Sequence, residues 1–130
     1  GKQLCSNRQW WRACMGEAAK EEGAYFWPYG DTYLPGACAT GLDPTARRTP
    51  FPAGWFPACR TAQGVYDMSG NVAEWTDGEV NEEIVFGGDW TDSVRTPHLT
   101  LSCRAGQIPS VVNKERVGVR CCKLAPVVPK

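Results

Sequence analysis

The first part of the chain has the pattern of an amphipathic helix. Apolar residues recur at helical spacing from Trp10 onward, so that they share one face. Ser6 precedes this run, and the glutamine three positions later, Gln9, completes the pattern of a capping box. The pattern predicts a helix from Ser6 to about Lys20, and Gly23 is expected to end it.

The rest of the chain predicts short strands separated by long irregular stretches. Residues 83–90, EIVFGGDW, indicate a short strand that enters a glycine bend. Residues 116–122, RVGVRCC, alternate apolar and polar positions, which predicts a strand with one buried face. Between 24 and 61, proline, glycine and aromatic residues interrupt every regular pattern and predict turns. Residues 1–123 are therefore interpreted as one domain, and 124–130 as an extended tail.

The composition is typical of a loop-rich domain of ordinary size. The chain has 130 residues, enough for a modest core, with six Trp, 14 Gly and 10 Pro. Basic and acidic residues number 14 each, so a nucleic acid or an anionic membrane is not expected as a partner. No stretch is apolar over the length of a bilayer, and no signal peptide precedes Gly1. A mature, processed or truncated chain is therefore expected.

Seven cysteines are spread along the chain with wide, irregular spacing. They are Cys5, Cys14, Cys38, Cys59, Cys103, Cys121 and Cys122. None belongs to a C-x-x-C pair, and the single histidine, His98, has no cysteine nearby, so a zinc ribbon or finger is not expected. The pattern favours disulfides formed in an oxidising compartment over scattered buried thiols. Because seven is odd, at least one thiol is free or pairs outside the chain.

Three motifs follow one another along the sequence. They are GKQLCSNRQWWRAC with YGDTY, then GVYDMSGNVAEW, then VFGGDW followed by CR and GVRCC. In this order and at these distances the chain resembles the formylglycine-generating enzyme family, also called the sulfatase-modifying-factor domain family. The resemblance covers nearly the whole chain but only about half of a full family domain. It implies a loop-rich α+β fold related to C-type lectin-like domains, with disulfides and little regular secondary structure.

The resemblance implies a structural calcium ion in the central motif. By position, Asp67 and Glu74 would supply carboxylates, and Gly70 and Val72 would supply backbone carbonyls. Calcium binds six to eight hard oxygen atoms, and carboxylates at both ends of a glycine-containing loop can surround it. An ordinary turn with solvated carboxylates is the alternative. Asn71 is expected to brace the turn through its side-chain amide.

The resemblance also identifies where the family's catalytic metal would lie. Formylglycine-generating enzymes oxidise a substrate cysteine with oxygen, using copper(I) held by two cysteines about four and nine positions after a Gly-Gly pair. The segment 89–98 contains no cysteine, and the corresponding places hold Asp92 and either Pro97 or His98. Copper(I) requires thiolate or thioether ligands, so copper is not expected and no catalytic residue is assigned. A serine hydrolase is not expected either, because a G-x-S-x-G motif is missing.

Disulfide pairs are suggested partly by the resemblance. The candidates are Cys14 with Cys103, Cys38 with Cys59, and Cys5 with Cys121 or Cys122. The first matches a bridge that the family often keeps, and the second would close the proline-rich loop. In the family the partner of Cys121 lies upstream of Gly1, so the pairing of Cys121 stays open.

The sequence as a whole predicts a secreted, periplasmic or cell-surface domain that binds a partner and does not catalyse. Loops 89–98 and 107–114 would cover the former active-site surface. The expected contact residues are Trp90, Asp92, Arg95, His98 and Asn113. Their aromatic and polar groups suit a protein or glycan ligand, or another chain of the same assembly. The alternatives are a cysteine oxidoreductase of the family and a subunit or fragment of a larger extracellular assembly.

Overall fold

The chain folds as one helix and six short strands among the residues that a computed structural model describes. These residues are 1–16, 27–78, 84–95, 100–108, 112–126 and 128–129. The elements follow the order β1 (Gln3–Leu4), α1 (Asn7–Met15), β2 (Ala73–Thr76), β3 (Ile84–Phe86), β4 (Gly106–Gln107), β5 (Val117–Val119) and β6 (Cys121–Cys122), with a short 3-10 helix (Lys114–Arg116) before β5. Strands this short, joined by long loops, make the protein a loop-rich α+β fold, as predicted.

Helix α1 begins where the sequence places it. The Ser6 hydroxyl accepts a hydrogen bond from the Gln9 amide at 3.2 Å, and the Gln9 side chain accepts one from the Ser6 amide at 2.9 Å. The helix ends earlier than predicted, because Gly16 adopts a φ of 62° that leaves the helical path. The remaining predicted turn, 17–20, lies outside the described residues. Within the described part of the chain, no helix has the length and apolar character that a membrane span requires.

A sheet of four described strands has the order β4-β3-β2-β5. Strand β2 lies inside it, antiparallel to β3 and parallel to β5, and Glu74 of β2 faces Phe86 and Gly118 on its two neighbours. The central motif GVYDMSGNVAEW is expected from the sequence to be a loop, and its end is instead a central strand. Three of the four β2 residues are buried, so the strand lacks the polar alternation that would have revealed it.

The segment 116–122 is divided between two sheets. Strand β5 joins the four-stranded sheet, whereas β6 pairs with β1 in a separate two-stranded sheet. Val119 is 67% exposed, so the prediction of one strand with one buried face is wrong. Arg120 lies at the division: its carbonyl accepts a hydrogen bond from the Cys5 amide, and its side chain reaches Glu74. These two long-range contacts redirect the chain from one sheet to the other.

Three disulfides connect the loops to the helix and the strands. They are Cys14–Cys103, Cys38–Cys59 and Cys5–Cys122, and Cys121 is an exposed free thiol. The first two are the pairs suggested for the sequence, and the third is one of the two options left open there for Cys5. Because the cysteine at 121 precedes a bridged one, the thiol lies directly beside a disulfide.

The main core lies between α1 and the sheet. Trp10 is fully buried and stacks on Phe86 of β3, with ring centroids 4.9 Å apart. Met68, from the central motif, packs in the same cluster. Trp11 is partly exposed and touches the edge of the Phe86 ring. One tryptophan of the adjacent pair is therefore core and the other lies at the surface, as helix geometry requires.

Candidate functional site

The carboxylate of Glu74 is the centre of a buried polar network. Its Oε2 accepts hydrogen bonds from Trp10 Nε1 and Arg120 Nε, both at 2.8 Å, and its Oε1 accepts one from Arg120 Nη2 at 2.7 Å. Arg120 Nη2 also donates to the Tyr66 carbonyl at 2.8 Å. The Glu74 side chain is 7% exposed and that of Arg120 is 24% exposed, so the carboxylate of this bidentate pair is nearly removed from water and the guanidinium is partly so.

Three residues of the loop before Glu74 have a positive φ, which is unusual for residues other than glycine. Asp67, Gly70 and Asn71 have φ values of 60°, 72° and 61°. A Cβ on Gly70 would lie 2.2 Å from the Ala39 carbonyl oxygen, so only glycine fits at this position. Asp and Asn tolerate positive φ better than other side chains. The motif therefore contains the residue types that its backbone requires.

Asn71 braces a remote loop instead of its own turn. Its Oδ1 accepts from the Phe51 amide at 2.8 Å, and its Nδ2 donates to the Phe51 carbonyl at 3.1 Å. Phe51 in turn packs edge-on against Phe56 and lies under the guanidinium of Arg47, 3.3 Å from the ring centroid. One amide side chain thus ties the backbone at Phe51, in the proline-rich loop, to the central motif.

Replacement of Asn71 with alanine is expected to lower the free energy of unfolding by about 2 kcal/mol, because two hydrogen bonds are lost and φ becomes less favourable. The Phe51 amide loses its acceptor in this variant, so its rate of hydrogen exchange should rise to that of an amide in an open loop. Asn113→Ala, which removes an exposed cap, is the matched control. Unchanged protection of Phe51 in Asn71→Ala would show that the amide is not the brace.

Both carboxylates predicted to hold calcium already have hydrogen-bond partners in this fold. Glu74 already carries the Arg120 guanidinium, and Asp67 Oδ2 accepts a hydrogen bond from the Gly54 amide at 2.8 Å. A calcium ion held by Glu74 would have to displace a cation from the same oxygens. Among the described residues, no three His, Cys, Asp or Glu side chains are grouped to hold a metal. The predicted calcium site therefore stays a prediction, and at Glu74 the ion would compete with Arg120 for the carboxylate. Its ligands would be Asp67, Gly70, Val72 and Glu74.

A glycine bend joins the central motif to a second polar cluster. Gly87 and Gly88 have φ values of 91° and 65°. A Cβ on Gly87 would lie 3.1 Å from the Met68 carbonyl, and one on Gly88 would lie 2.8 Å from Asp92 Oδ2. The Gly87 carbonyl accepts a hydrogen bond from the Gly70 amide at 2.8 Å. The bend therefore places the residues that follow it next to the central motif.

The four residues after the bend, Asp89 to Asp92, are here called the acidic turn. Asp89 Oδ1 accepts from the amide and the hydroxyl of Thr91 at 2.8 and 2.6 Å. Arg116 donates to the Thr91 hydroxyl at 2.8 Å, and the same Nη1 lies 3.7 Å from Asp89 Oδ1. Asp89 and Arg116 thus form one half-buried polar unit with Thr91.

Asp92 is the less compensated carboxylate of the acidic turn. Its Oδ2 accepts one hydrogen bond, from the Asp89 amide at 2.9 Å. Burial raises the pKa of Asp92 above its ordinary value of 3.8, and the charge of Asp89 also raises it, whereas the Asp89 amide, the Thr100 hydroxyl and Arg116 act in the opposite direction. Because the folded pKa exceeds the unfolded one, Asp92 favours folding below the unfolded pKa, and this contribution is lost as the pH rises through the folded pKa.

A family model for the sulfatase-modifying factor enzyme 1-like domain matches residues 1–125. The chain belongs to this family. A comparison with curated proteins gave no match.

Solved structures of the sulfatase-modifying-factor type share the fold. Treponema denticola variable protein 1 is 19% identical with a TM-score of 0.65, and the alignment covers 93% of this chain and 47% of that protein. CarF is 22% identical with a TM-score of 0.60 and the same coverage. PvdO from Pseudomonas aeruginosa is 21% identical with a TM-score of 0.58, covering 92% of this chain and 51% of PvdO. The chain spans about half the length of each of these proteins.

The residues predicted as the ligand surface of this family member do not all lie there. Trp90 is 2% exposed and donates from Nε1 to the Arg47 carbonyl, so its assignment to the surface is corrected to a packing role. Asp92 is half-buried, and Arg95 is exposed. Asn113 is exposed and caps the 3-10 helix that carries Arg116, which places it near the acidic turn. His98 lies outside the described residues.

Four contributors to the two clusters were missed in the sequence. They are Asp89, Thr100, Arg116 and Arg120. The two arginines flank β5, and the side chain of each forms an ion pair with an acidic residue from one of the family motifs. That pairing is visible only in the fold, because the partners lie 27 and 46 positions away in the sequence.

Proposed function

We propose that this member of the sulfatase-modifying-factor family is a non-catalytic binding domain that works outside the reducing cytoplasm. Its ligand would be a polypeptide or a glycan, bound over the acidic turn and the neighbouring exposed residues. The proposal covers this chain only, which corresponds to about half of each solved relative.

The observation that carries the proposal is the chemistry at Asp92. This residue stands where the resemblance places the first copper-binding cysteine, and it offers a hard carboxylate oxygen held by the Asp89 amide. The segment 89–98 contains no cysteine that could serve as a thiolate ligand. A soft copper(I) ion is poorly matched to such oxygen donors, whereas an exposed polar ligand is well matched to them.

Three disulfides support the placement outside the cytoplasm. Bridges persist in secreted, periplasmic and surface compartments, and reducing systems open them in the cytosol. Cys14, Cys59 and Cys103 have no exposed surface, so these sulfur atoms belong to the core and do not form a redox pair at the surface. Their burial favours a stabilising role over a catalytic one.

A copper(I) competition experiment tests the absence of oxidase chemistry. Under anaerobic conditions the protein should leave copper(I) with a colorimetric chelator, except for weak uptake by the exposed thiol of Cys121. Cys121→Ser is the matched control and should remove that uptake. Stoichiometric copper binding by Cys121→Ser, or conversion of a cysteine-containing peptide to an aldehyde with oxygen consumption, would overturn the proposal.

Peptide and glycan arrays test the binding half of the proposal. A ligand bound at the proposed surface should bind Arg95→Glu about tenfold more weakly, because Arg95 is proposed as one of the minority of contact residues that contribute more than about 1 kcal/mol, among which arginine is enriched. Lys2→Glu makes the same charge change at an exposed position just before β1 and should bind normally. Failure of the protein to bind any array member, or equal losses in both variants, would count against binding at this surface.

A further inference from the structure

We propose that a cavity beside Arg60 binds a carboxylate group attached to an apolar residue of a polypeptide. The cavity has a volume of about 340 Å3 and is bordered by the segments 28–29, 57–58 and 60–62. No residue of the acidic turn lines it, so the inference goes beyond the proposed function and does not rest on it. The carboxylate would be the chain terminus of the ligand or the side chain of an aspartate or glutamate.

One wall of this cavity is a tight turn that carries an aromatic ring. Trp27 and Gly30 exchange two backbone hydrogen bonds, at 3.0 and 3.1 Å, and Tyr29 lies between them. The Tyr29 hydroxyl accepts a hydrogen bond from the Leu34 amide at 3.1 Å, which holds the far end of the side chain in place. The aromatic wall is therefore fixed before a ligand arrives.

The opposite wall is a hairpin fastened by a disulfide. Arg60 and Tyr66 form an antiparallel β-bridge, and the Thr61 amide donates to the Val65 carbonyl at 2.9 Å. Cys59, directly before this pairing, carries one of the three disulfides. Binding to walls that are already ordered costs less conformational entropy than binding to mobile ones.

Arg60 gives the cavity its charge. Its side chain is exposed and makes neither a hydrogen bond nor an ion pair with any residue that the structure describes. The described lining residues include no acidic side chain that could neutralise it. A guanidinium presents its N–H donors in a planar fork that matches the two oxygens of a carboxylate. The charge of the cavity therefore favours an anionic guest.

The remaining accessible walls favour an apolar group next to that anion. Tyr29 is half-buried, and Pro57, Ala58 and Ala62 are exposed, so the walls offer rings and methyl groups. The volume lies at the lower end of the range of about 300–1,000 Å3 for small-ligand sites, which suits the end of a peptide better than a folded surface. A chain terminus with an apolar side chain carries both required groups on one residue.

NMR of the backbone amides, with short peptides as probes, tests the inference. Acetyl-Pro-Leu, which has a free carboxyl terminus, should shift the amide signals of Ala58 and Ala62, whereas acetyl-Pro-Leu-amide should not. Acetyl-Leu-Glu-Leu-amide carries its only carboxylate on a side chain, so it distinguishes the two sources of the group. Equal shifts with the free and the amidated peptide, no shift with either carboxylate, or equally tight binding of inorganic phosphate would overturn the inference.

Arg60→Gln separates a ligand contact from a structural role. Because the side chain is exposed and not hydrogen-bonded, this variant should be as stable as the natural protein. It should nevertheless bind the carboxylate peptide about tenfold more weakly, which is the loss expected for a hydrogen bond to a charged group. Arg48→Gln makes the same charge change at an exposed position that does not line the cavity and should bind normally.

Ala62→Leu tests the cavity without changing any charge. It adds bulk to an exposed wall and should weaken binding of the same peptide while Arg60 stays in place. Unaltered binding by Arg60→Gln or by Ala62→Leu, or equal losses in Arg60→Gln and Arg48→Gln, would overturn the inference. The proposed function would then still stand, because Arg95→Glu tests it at a separate surface.

Discussion

Replacement of Glu74 with glutamine is expected to lower the free energy of unfolding by about 3–5 kcal/mol, the range found when one partner of a buried ion pair is removed. Glutamine preserves the shape and the acceptor for Trp10, but it leaves the guanidinium of Arg120 partly buried without a countercharge. Urea unfolding at neutral pH measures the loss. Glu115→Gln, at an exposed position of the 3-10 helix, should change the stability by less than about 0.5 kcal/mol.

A double-mutant cycle identifies the origin of that loss. Arg120→Met should itself be destabilising, because Glu74 is then buried without its cation, and the double variant Glu74→Gln with Arg120→Met should regain part of the loss. If the losses of the two single variants simply add in the double variant, the ion pair is not the main cause of the destabilisation. Recovery is expected to be incomplete, since the bond from Arg120 to the Tyr66 carbonyl is also removed.

The same variants decide between Arg120 and calcium as the countercharge of Glu74. With Arg120 in place, the melting temperature should be the same in calcium and in a calcium chelator, because the carboxylate already has its donors. If calcium instead raises the melting temperature of the natural protein, and Glu74→Gln removes the rise, the ion displaces the arginine. The calcium ligands predicted from the sequence would then be right.

Features set by neighbouring residues were predictable from the sequence. The capping box at Ser6 needs only a serine and a glutamine three positions later, and both hydrogen bonds are present. The glycine bend after β3 follows from two glycines behind an apolar run, because few other residues adopt those φ values. The family motifs added the fold, which neither spacing nor composition would have supplied.

Features set by distant partners were not predictable. Trp90 looks like an exposed aromatic in a polar loop, but its backbone pairs with Asn71 and Leu42, and its ring nitrogen donates to Arg47. Nothing in the residues adjacent to Trp90 reveals these partners. The division of the last strand has the same cause, since Arg120 bonds to a carboxylate 46 positions earlier. In a fold with so few strand residues, single side chains that cross between loops determine what is buried.

Removal of the Cys14–Cys103 and Cys5–Cys122 bridges is expected to show strong coupling between them. Their sequence separations are 89 and 117, so with one bridge intact the other closes a ring of only about 28 residues. In the chain-entropy model, removal of one bridge while the other is intact should therefore lower the free energy of unfolding by about 3.5 kcal/mol. Each bridge formed in a chain without the other would instead stabilise the protein by roughly 5 kcal/mol, because it would close a longer loop. Loss of both should lower it by about 8 kcal/mol, which is enough to unfold a domain of ordinary stability.

Urea unfolding of the three alanine variants under non-reducing conditions measures this coupling. All are made in a Cys121→Ser background, because the exposed thiol would otherwise pair in place of Cys122. Removal of Cys38–Cys59, with a separation of 21, is the control and should lower the free energy of unfolding by about 3 kcal/mol. Single losses near 5 kcal/mol that simply add would show that the bridges do not share a ring in the unfolded chain. A double variant that stays folded would show instead that the Trp10 and Phe86 core, and not the crosslinks, holds α1 against the sheet.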